Sequence, residues 1–256
     1  MVIRKSNREL ALMRETGRIV ALTHARLKER IEPGLTTAEL DSLANEIVAK
    51  HGATPSFLRY RGFPASVCVS INEQVVHGIP GPRVLEEGDM VSLDFGAIHQ
   101  GYHGDAAITV GVGRISEEAR QLIETTRGAL EAGIGQATAG NHLGDISWAI
   151  EDYAESRGFS VVRQYVGHGI GRNMHEDPQI PNYGQRGRGI LLKPGMTFAL
   201  EPMVNVGSYL TRVLDDGWTV VTEDGELSAH FEHTIAITEG EPEILTLLQE
   251  GCDHES

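Results

Sequence analysis

Cysteine is nearly absent from this sequence. Two thiols occur in 256 residues, Cys68 and Cys252, far apart in the chain. They supply neither a disulfide framework nor a Cys-x-x-Cys zinc site, so a disulfide-stapled fold is excluded and a reducing compartment is expected. Long apolar runs are missing too. No segment approaches the roughly eighteen residues that a membrane span needs, and the opening Met-Val-Ile-Arg-Lys-Ser carries no signal-peptide core. The expectation is a cytoplasmic protein with no membrane partner. Positive charge is short: 22 Lys and Arg face 36 Asp and Glu, a formal charge of −14. Binding phosphate requires a basic surface, so nucleic acid is not expected as a direct partner. Linkers rich in Pro, Gly or Ser are also lacking.

What is present is an order of elements that recurs. Ser6-Asn-Arg-Glu9 is a capping box, and small or apolar residues follow at Leu10, Met13, Gly17, Val20, His24, Leu27 and Ile31, one face of a helix. Pro33-Gly34 breaks it. Thr36-Thr-Ala-Glu39 caps a second helix through Leu40, Leu43 and Ile47 to Gly52. Strand-like segments follow at 66–71, 90–95 and 106–110. A third helix is predicted from Ser116 through Leu130 to Gly133. A fourth, capped by Asn141, runs through Leu143, Ile146 and Ile150 to Gly158. Strand-like segments then return at 161–165, 197–201, 218–222 and 232–238. Two helices followed by strands, twice, predict a duplicated α+β architecture. Its halves would span about 1–115 and 116–245, sharing one sheet and one core, with a tail at 246–256.

Within this repeat, Leu85-Glu-Glu-Gly-Asp-Met-Val-Ser-Leu-Asp94 aligns with Leu192-Lys-Pro-Gly-Met-Thr-Phe-Ala-Leu-Glu201, and Asp105-Ala-Ala-Ile-Thr-Val with Glu232-His-Thr-Ile-Ala-Ile. Each half therefore places carboxylates at matching positions: Asp94 and Asp105, then Glu201 and Glu232. Carboxylates ending apolar strands point into a core or a site, and four together need charge compensation. Gly96, Gly101 and Gly104 suit a hairpin that would bring Asp94 near Asp105. His168, in Gly167-His-Gly-Ile-Gly171, adds one imidazole on a glycine-flanked strand. Four oxygen ligands and one nitrogen suit Mn, Fe, Co or Zn ions rather than a sulfur-bound structural zinc. Five ligands exceed what one ion needs, so two divalent ions with a bridging water or hydroxide are expected.

The joint set of motifs resembles type I methionine aminopeptidase, of the M24 pita-bread metallopeptidases. It comprises Ser70-Ile-Asn-Glu-Gln-Val-Val-His77-Gly-Ile-Pro, Asp94-Phe-Gly, Gly104-Asp105, Gly167-His168-Gly-Ile-Gly-Arg-Asn-Met-His175-Glu, Glu201-Pro-Met-Val, Asp216-Gly-Trp218-Thr and Ser228-Ala-His-Phe-Glu232-His-Thr. The resemblance runs from about residue 5 to residue 240. It implies a single catalytic domain with a curved, mainly antiparallel sheet covered by two pairs of helices. It implies removal of the initiator methionine of nascent peptides, with a small second residue preferred, through a metal-bridging hydroxide. Asp105 and Glu232 would bridge two ions, Asp94 would hold one, and His168 with Glu201 the other. Glu201 would shuttle the proton, and His77 and His175 would contact the scissile amide. Tyr60, Phe63, Cys68, Met174 and Trp218 would line the methionine pocket, where a soft sulfur contact suits a thioether.

By the same resemblance a monomer is expected, with transient ribosome proximity, and the chain's own Met1-Val2 start fits the selectivity. Three positions depart from the family pattern. Met174 stands where an aromatic is common, His230 where glutamine or another neutral polar residue is expected, and Phe57 where some relatives carry cysteine; the loop at 56–62 is shortened. None removes a ligand. Only 25 residues run from 176 to 200, too few for the inserted helical domain of the type II enzymes. No zinc-binding or basic extension precedes Ser6. Two other readings share the fold. Prolidases and Xaa-Pro aminopeptidases use the same ligands but usually carry a separate N-terminal domain. Non-enzymatic binding proteins typically lose ligands.

Overall fold

A computed structural model describes residues 2–248. Met1, and with it the self-processing expectation, lies outside the described residues, as do Gln249–Ser256, including Cys252 and most of the expected tail. Among the described residues there are four α-helices: α1 (Asn7–Arg30), α2 (Thr37–Lys50), α3 (Glu117–Gln136) and α4 (Leu143–Glu155). Both predicted capping boxes form. Ser6 N–H donates to Glu9 at 2.9 Å and Thr36 N–H to Glu39 at 2.8 Å, satisfying donors that a helix start leaves unpaired. The third and fourth helices differ at their ends. Gly133 is not a stop, because α3 runs on to Gln136. A methyl at Gly133 would come within 2.7 Å of Ile150, so the glycine lets α3 and α4 pack closely. The cap of α4 is His142, whose N–H donates to Asp145 at 2.7 Å. Asn141 instead donates its side-chain amide to the Gln136 carbonyl, closing the end of α3.

The strands are β1 (Thr54–Pro55), β2 (Cys68–Ile71), β3 (Gln74–Val76), β4 (Met90–His99), β5 (Tyr102–Gly111), β6 (Ser160–Val161), β7 (Gly167–Gly169), β8 (Glu176–Ile180), β9 (Thr197–Leu200), β10 (Met203–Asn205), β11 (Thr211–Val213), β12 (Val220–Thr222), β13 (Ser228–His230), β14 (Glu232–Ala236) and β15 (Glu243–Ile244). Nine form one antiparallel sheet in the order β1-β4-β5-β14-β9-β7-β8, with β2 also on β4 and β15 on β14. The sequence halves meet where β5 pairs with β14.

Two expectations are corrected. Asp94 and Asp105 do not end strands; both sit inside β4 and β5, which pair without a break from Met90↔Gly111 to His99↔Tyr102. The turn is the two-residue Gln100-Gly101, with φ of 48° and 79°, the positive pair that a tight hairpin with matching twist needs. Gly96 and Gly104 belong to the ladder instead. The predicted single core is also two cores. Ile19, Val20, Leu40 and Val48 pack with Leu93 and Phe95 over the first half of the sheet, and Leu122, Leu130, Ile146 and Ile150 with Phe198 and Ile235 over the second. A further cluster bridges the seam: Leu10 and Met13 of α1 and Tyr102 of β5 pack with Ile170, Ala199, Ala236 and Leu245 of the second half.

Candidate metal centre

Side chains alternate across a strand, so Leu93 and Phe95 facing the helices turn Asp94 to the opposite face. Register then fixes what stands beside it. Ala107 of β5 is opposite both Asp94 of β4 and Glu232 of β14. β9 ends at Leu200 opposite His233, so Glu201 leaves that strand next to Glu232. A second row lies two residues along. Asp105 is opposite Gly96; its N–H donates to the Thr234 hydroxyl at 2.9 Å, which donates back to the Asp105 carbonyl at 2.8 Å. Thr234 is opposite Ala199, and Ala199 is opposite His168. Neighbouring strands lie about 4.8 Å apart and alternate residues about 7 Å apart along a strand. All five candidate ligands therefore fall on one small patch of one face, spanning both halves.

The side chains converge as this register requires. Ligand atoms of Asp105, His168 and Glu232 lie within 4.8 Å of one another, all three buried. His168 Nε2 is 3.5 Å from Glu201 Oε1 and 4.0 Å from Asp105 Oδ2. Asp94 and Glu201 are half-buried and form the mouth. His168 Nδ1 bonds the Gly169 carbonyl at 2.9 Å, which places the ring proton on Nδ1 and leaves the Nε2 lone pair facing the acids. Burial lowers the His168 pKa to about 4, so the ring is neutral, the form that ligates. Gly96 makes room for this arrangement. A Cβ there would lie 3.0 Å from Asp105 Oδ1 and 3.1 Å from both Phe57 and Ser56.

The electrostatics call for a cation. Burial pushes Asp94 up to about 7 and raises Asp105, Glu201 and Glu232 far above the carboxylate range, the neighbouring carboxylate charges adding to the rise in these three. Among the described residues, Asp94 Oδ1, Asp105 Oδ1 and Glu232 Oε1 are buried without a hydrogen-bond partner. Orphaned carboxylate oxygens around a free imidazole lone pair fit a hard to borderline divalent ion, which would satisfy them together.

Beside this patch lies an apolar cluster that gathers the residues expected to line the methionine pocket. Phe63, Cys68 and Met174 cluster with Tyr60 and Trp218, and with Phe57, Ala65 and Ile79. Phe57 had been singled out only as a departure, and nothing short of tertiary packing marks Ala65 and Ile79. Cys68 is opposite Asp94 in the β2–β4 ladder, so the apolar cluster and the acid patch adjoin. Its thiol pKa is raised well above the usual value, first by burial and then by Asp94, Asp105 and Glu232. Trp218 meets Phe63 edge-on at 5.1 Å and is held by Asp216, which accepts N–H bonds from Trp218 and Thr219 at 2.8 Å.

Of the two histidines outside the candidate ligand set, His175 lies against the patch and His77 against Trp218. His77 sits at φ 61°, an uncommon backbone for a non-glycine residue. The following Gly78 pins it: its N–H donates to Ser70 at 3.1 Å, its carbonyl accepts from Val69 at 2.9 Å, and any Cβ would overlap the Val69 carbonyl. The His77 ring lies edge-on to Tyr165 at 5.7 Å and Trp218 at 6.3 Å. His175 stands 4.1 Å from the His168 ring, stacks on Tyr60 at 5.5 Å, and its Nδ1 bonds the Tyr60 hydroxyl at 2.9 Å.

Fold and site together define a metallopeptidase of the duplicated pita-bread class, and the chain belongs to metallopeptidase family M24, whose profile matches residues 11–239. Within that family it groups with the methionine aminopeptidases. It is 56% identical to the methionine aminopeptidase of Clostridium perfringens over 249 residues, 97% of this chain and 100% of that one. It is 56% identical to methionine aminopeptidase 1 of Bacillus subtilis over 246 residues, 96% of this chain and 99% of the relative. The crystal structure of methionine aminopeptidase from Thermotoga maritima superimposes with a TM-score of 0.96 at 47% identity, covering 97% of this chain and all of that one. Prolidase from Pyrococcus furiosus, at 21% identity and a TM-score of 0.78, shares the fold, and this chain covers 66% of it. No helix among the described residues is long and apolar enough to cross a membrane.

Proposed function

We propose that the protein hydrolyses the peptide bond after an N-terminal methionine of nascent polypeptides, preferring a small second residue. Two divalent ions of the Mn, Fe, Co and Zn group would be held by Asp94, Asp105, His168, Glu201 and Glu232. The observation that carries this reading is the pairing of Cys68 with Asp94, which sets an apolar, sulfur-bearing cluster directly against the acid patch. When bound, the ions supply an activated water, polarise the scissile carbonyl and hold the free α-amine. The chain's own residues do the rest. The pocket aromatics and Met174 seat the unbranched side chain. Glu201, half-buried beside His168, takes a proton on a carboxylate oxygen and returns it to the leaving amine. His175 is kept neutral by desolvation and by the neighbouring His168 ring. With Tyr60 donating to Nδ1, its Nε2–H is free to donate to the carbonyl oxygen or the leaving nitrogen, as is the His77 ring. A substrate of this kind brings a monomeric enzyme transiently near the ribosome.

The test is hydrolysis of Met-Ala-Ser and Ala-Pro by metal-stripped enzyme titrated with each ion in turn. Cleavage of Met-Ala-Ser alone, dependent on added metal, is expected. Preferential cleavage of Ala-Pro would transfer the reading to the prolidase branch, and no metal uptake with no activity would make the protein a binder.

A further inference from the structure

His175 carries a chemical role in the proposed reaction, yet its side chain is exposed and its hydrogen-bond partner, Tyr60, belongs to a short turn at 60–62. What holds its backbone comes from the other end of the chain. Lys5, before α1, forms an ion pair with Glu176, the residue after His175: Nζ to Oε2 is 2.6 Å, with side chains only 4% and 5% exposed. The second oxygen of Glu176 accepts the Asn173 N–H at 3.2 Å, so the carboxylate closes the 173–176 turn on which His175 rides. Lys5 is itself fixed, its N–H donating to Gly195 at 2.6 Å. The pair lies across Gly171, where a Cβ would come within 2.5 Å of Lys5 Cε and 2.8 Å of Glu176 Oε1. The Gly171 carbonyl accepts from His103 on β5 at 2.8 Å. Glu176 is also opposite Gly169, next to His168 in the ladder.

We propose that Lys5 is a positioning residue for the reaction, acting through its buried ion pair with Glu176 to hold the His175 ring at the scissile amide. This rests on the reading of His175 as a substrate contact. A buried pair fits such a task better than an exposed one. An exposed pair is screened and loosely held, whereas losing one partner here strands a charge beneath the turn. Positioning matters because an ångström of displacement at a reacting group costs on the order of a hundredfold in rate.

The experiment is a double-mutant cycle on metal-loaded, full-length enzyme, with kcat, KM, metal content and Tm measured for each variant. Lys5→Met removes the anchor. Lys5→Met/Glu176→Gln removes it without stranding a charge, because the amide still accepts the Asn173 N–H, and it stays informative where the single variant folds poorly. The expected result is a kcat lowered about ten- to a hundredfold, with KM and metal content within about twofold, and a further loss below about twofold in a His175→Ala background. Equal fold-losses in both backgrounds, or a folded double variant with normal kcat, would overturn the inference while leaving the His175 reading intact. A His175→Ala enzyme with unchanged kcat would overturn that reading and the inference with it.

Discussion

Stripping the metal should make the protein lose stability as pH rises above neutrality, and restoring the metal should abolish that dependence. In the metal-free fold, burial holds Asp94 at about 7 and Asp105, Glu201 and Glu232 well above the carboxylate range. In the unfolded chain the same groups titrate near 4. At pH 7–8 the native state therefore binds more protons than the unfolded one, and stability falls as pH rises, by about 1.4 kcal/mol per pH unit for each proton retained. For a chain of this length 1 kcal/mol moves Tm by roughly 2–4 °C, so the expected slope is about 3–6 °C per pH unit and per proton. The upper part of the window favours the acids. Buried histidines act with the opposite sign at lower pH. Burial lowers His24, His168 and His233 to about 4 and His230 to about 3, so they withdraw stability only as pH falls below about 6.5. With an ion at a hundred times its Kd the carboxylates stay ionised in both measurements, the slope vanishes and Tm rises by the equivalent of about 2.7 kcal/mol for each site filled. Thermal melts of chelator-treated protein at pH 7.0, 7.5 and 8.0, with and without Mn²⁺, provide the comparison. A metal-free Tm that is flat or rising over this range, or an identical slope with Mn²⁺ present, would refute the assignment of these four carboxylates to one metal-compensated cluster.

Other expectations follow from single contacts. Gly96→Ala should cost roughly 1–3 kcal/mol in denaturant melts and weaken metal binding by calorimetry, because the methyl displaces the Asp105 carboxylate. Asp94→Ala should abolish peptide turnover even at saturating metal; retention of most activity in a Met-Ala-Ser assay would remove Asp94 from the ligand set. His77→Ala should lower kcat while metal content, read by elemental analysis, is kept, and a variant that lost its metal would make His77 structural instead. Phe63→Ala opens the pocket wall against Trp218 and should raise KM for methionyl peptides more than it lowers kcat, as steady-state kinetics would report.

Much of this was legible because it is written locally. Ser6 with Glu9 and Thr36 with Glu39 announce helix starts within four residues, and the caps form as read. The candidate ligand patch was legible for a different reason: the repeat places two carboxylates in each half, and the ladder register carries them to one face. What stayed hidden depends on distant partners. Asp94 reads as a strand end because the glycine after Phe95 suggests a break, yet Gly96 is needed inside the ladder by the Asp105 carboxylate opposite. Gly133 reads as a helix stop, and only the contact with Ile150 explains why α3 passes it. The strand expected at 161–165 shrinks to Ser160–Val161, the two residues in register with β10, and the chain leaves the ladder after Val162 N–H donates to Met203 at 2.9 Å. β8 was not anticipated: its Glu-Asp-Pro-Gln-Ile sequence has little strand character, and pairing with β7 imposes the extended backbone.

In the main sheet, the ladder that joins the halves is short. β5 and β14 share two residue pairs, Ala107 with Glu232 and Ala106 with His233, where β4 and β5 share ten. Asp94 and Asp105 stand on one side of it, and His168, Glu201 and Glu232 on the other. Other contacts hold the joint as well, β3 pairing with β12, Leu10 and Met13 packing on Ile170 and Ala199, and Lys5 bridging to Glu176, and with the candidate ligands divided across it catalytic competence becomes a report on assembly. A chain opened at the exposed turn around Gly113 would leave two fragments, each with its own helix pair and apolar interior and each with an incomplete ligand set. Activity would return only when the fragments closed on each other, with the metal acting as the rivet.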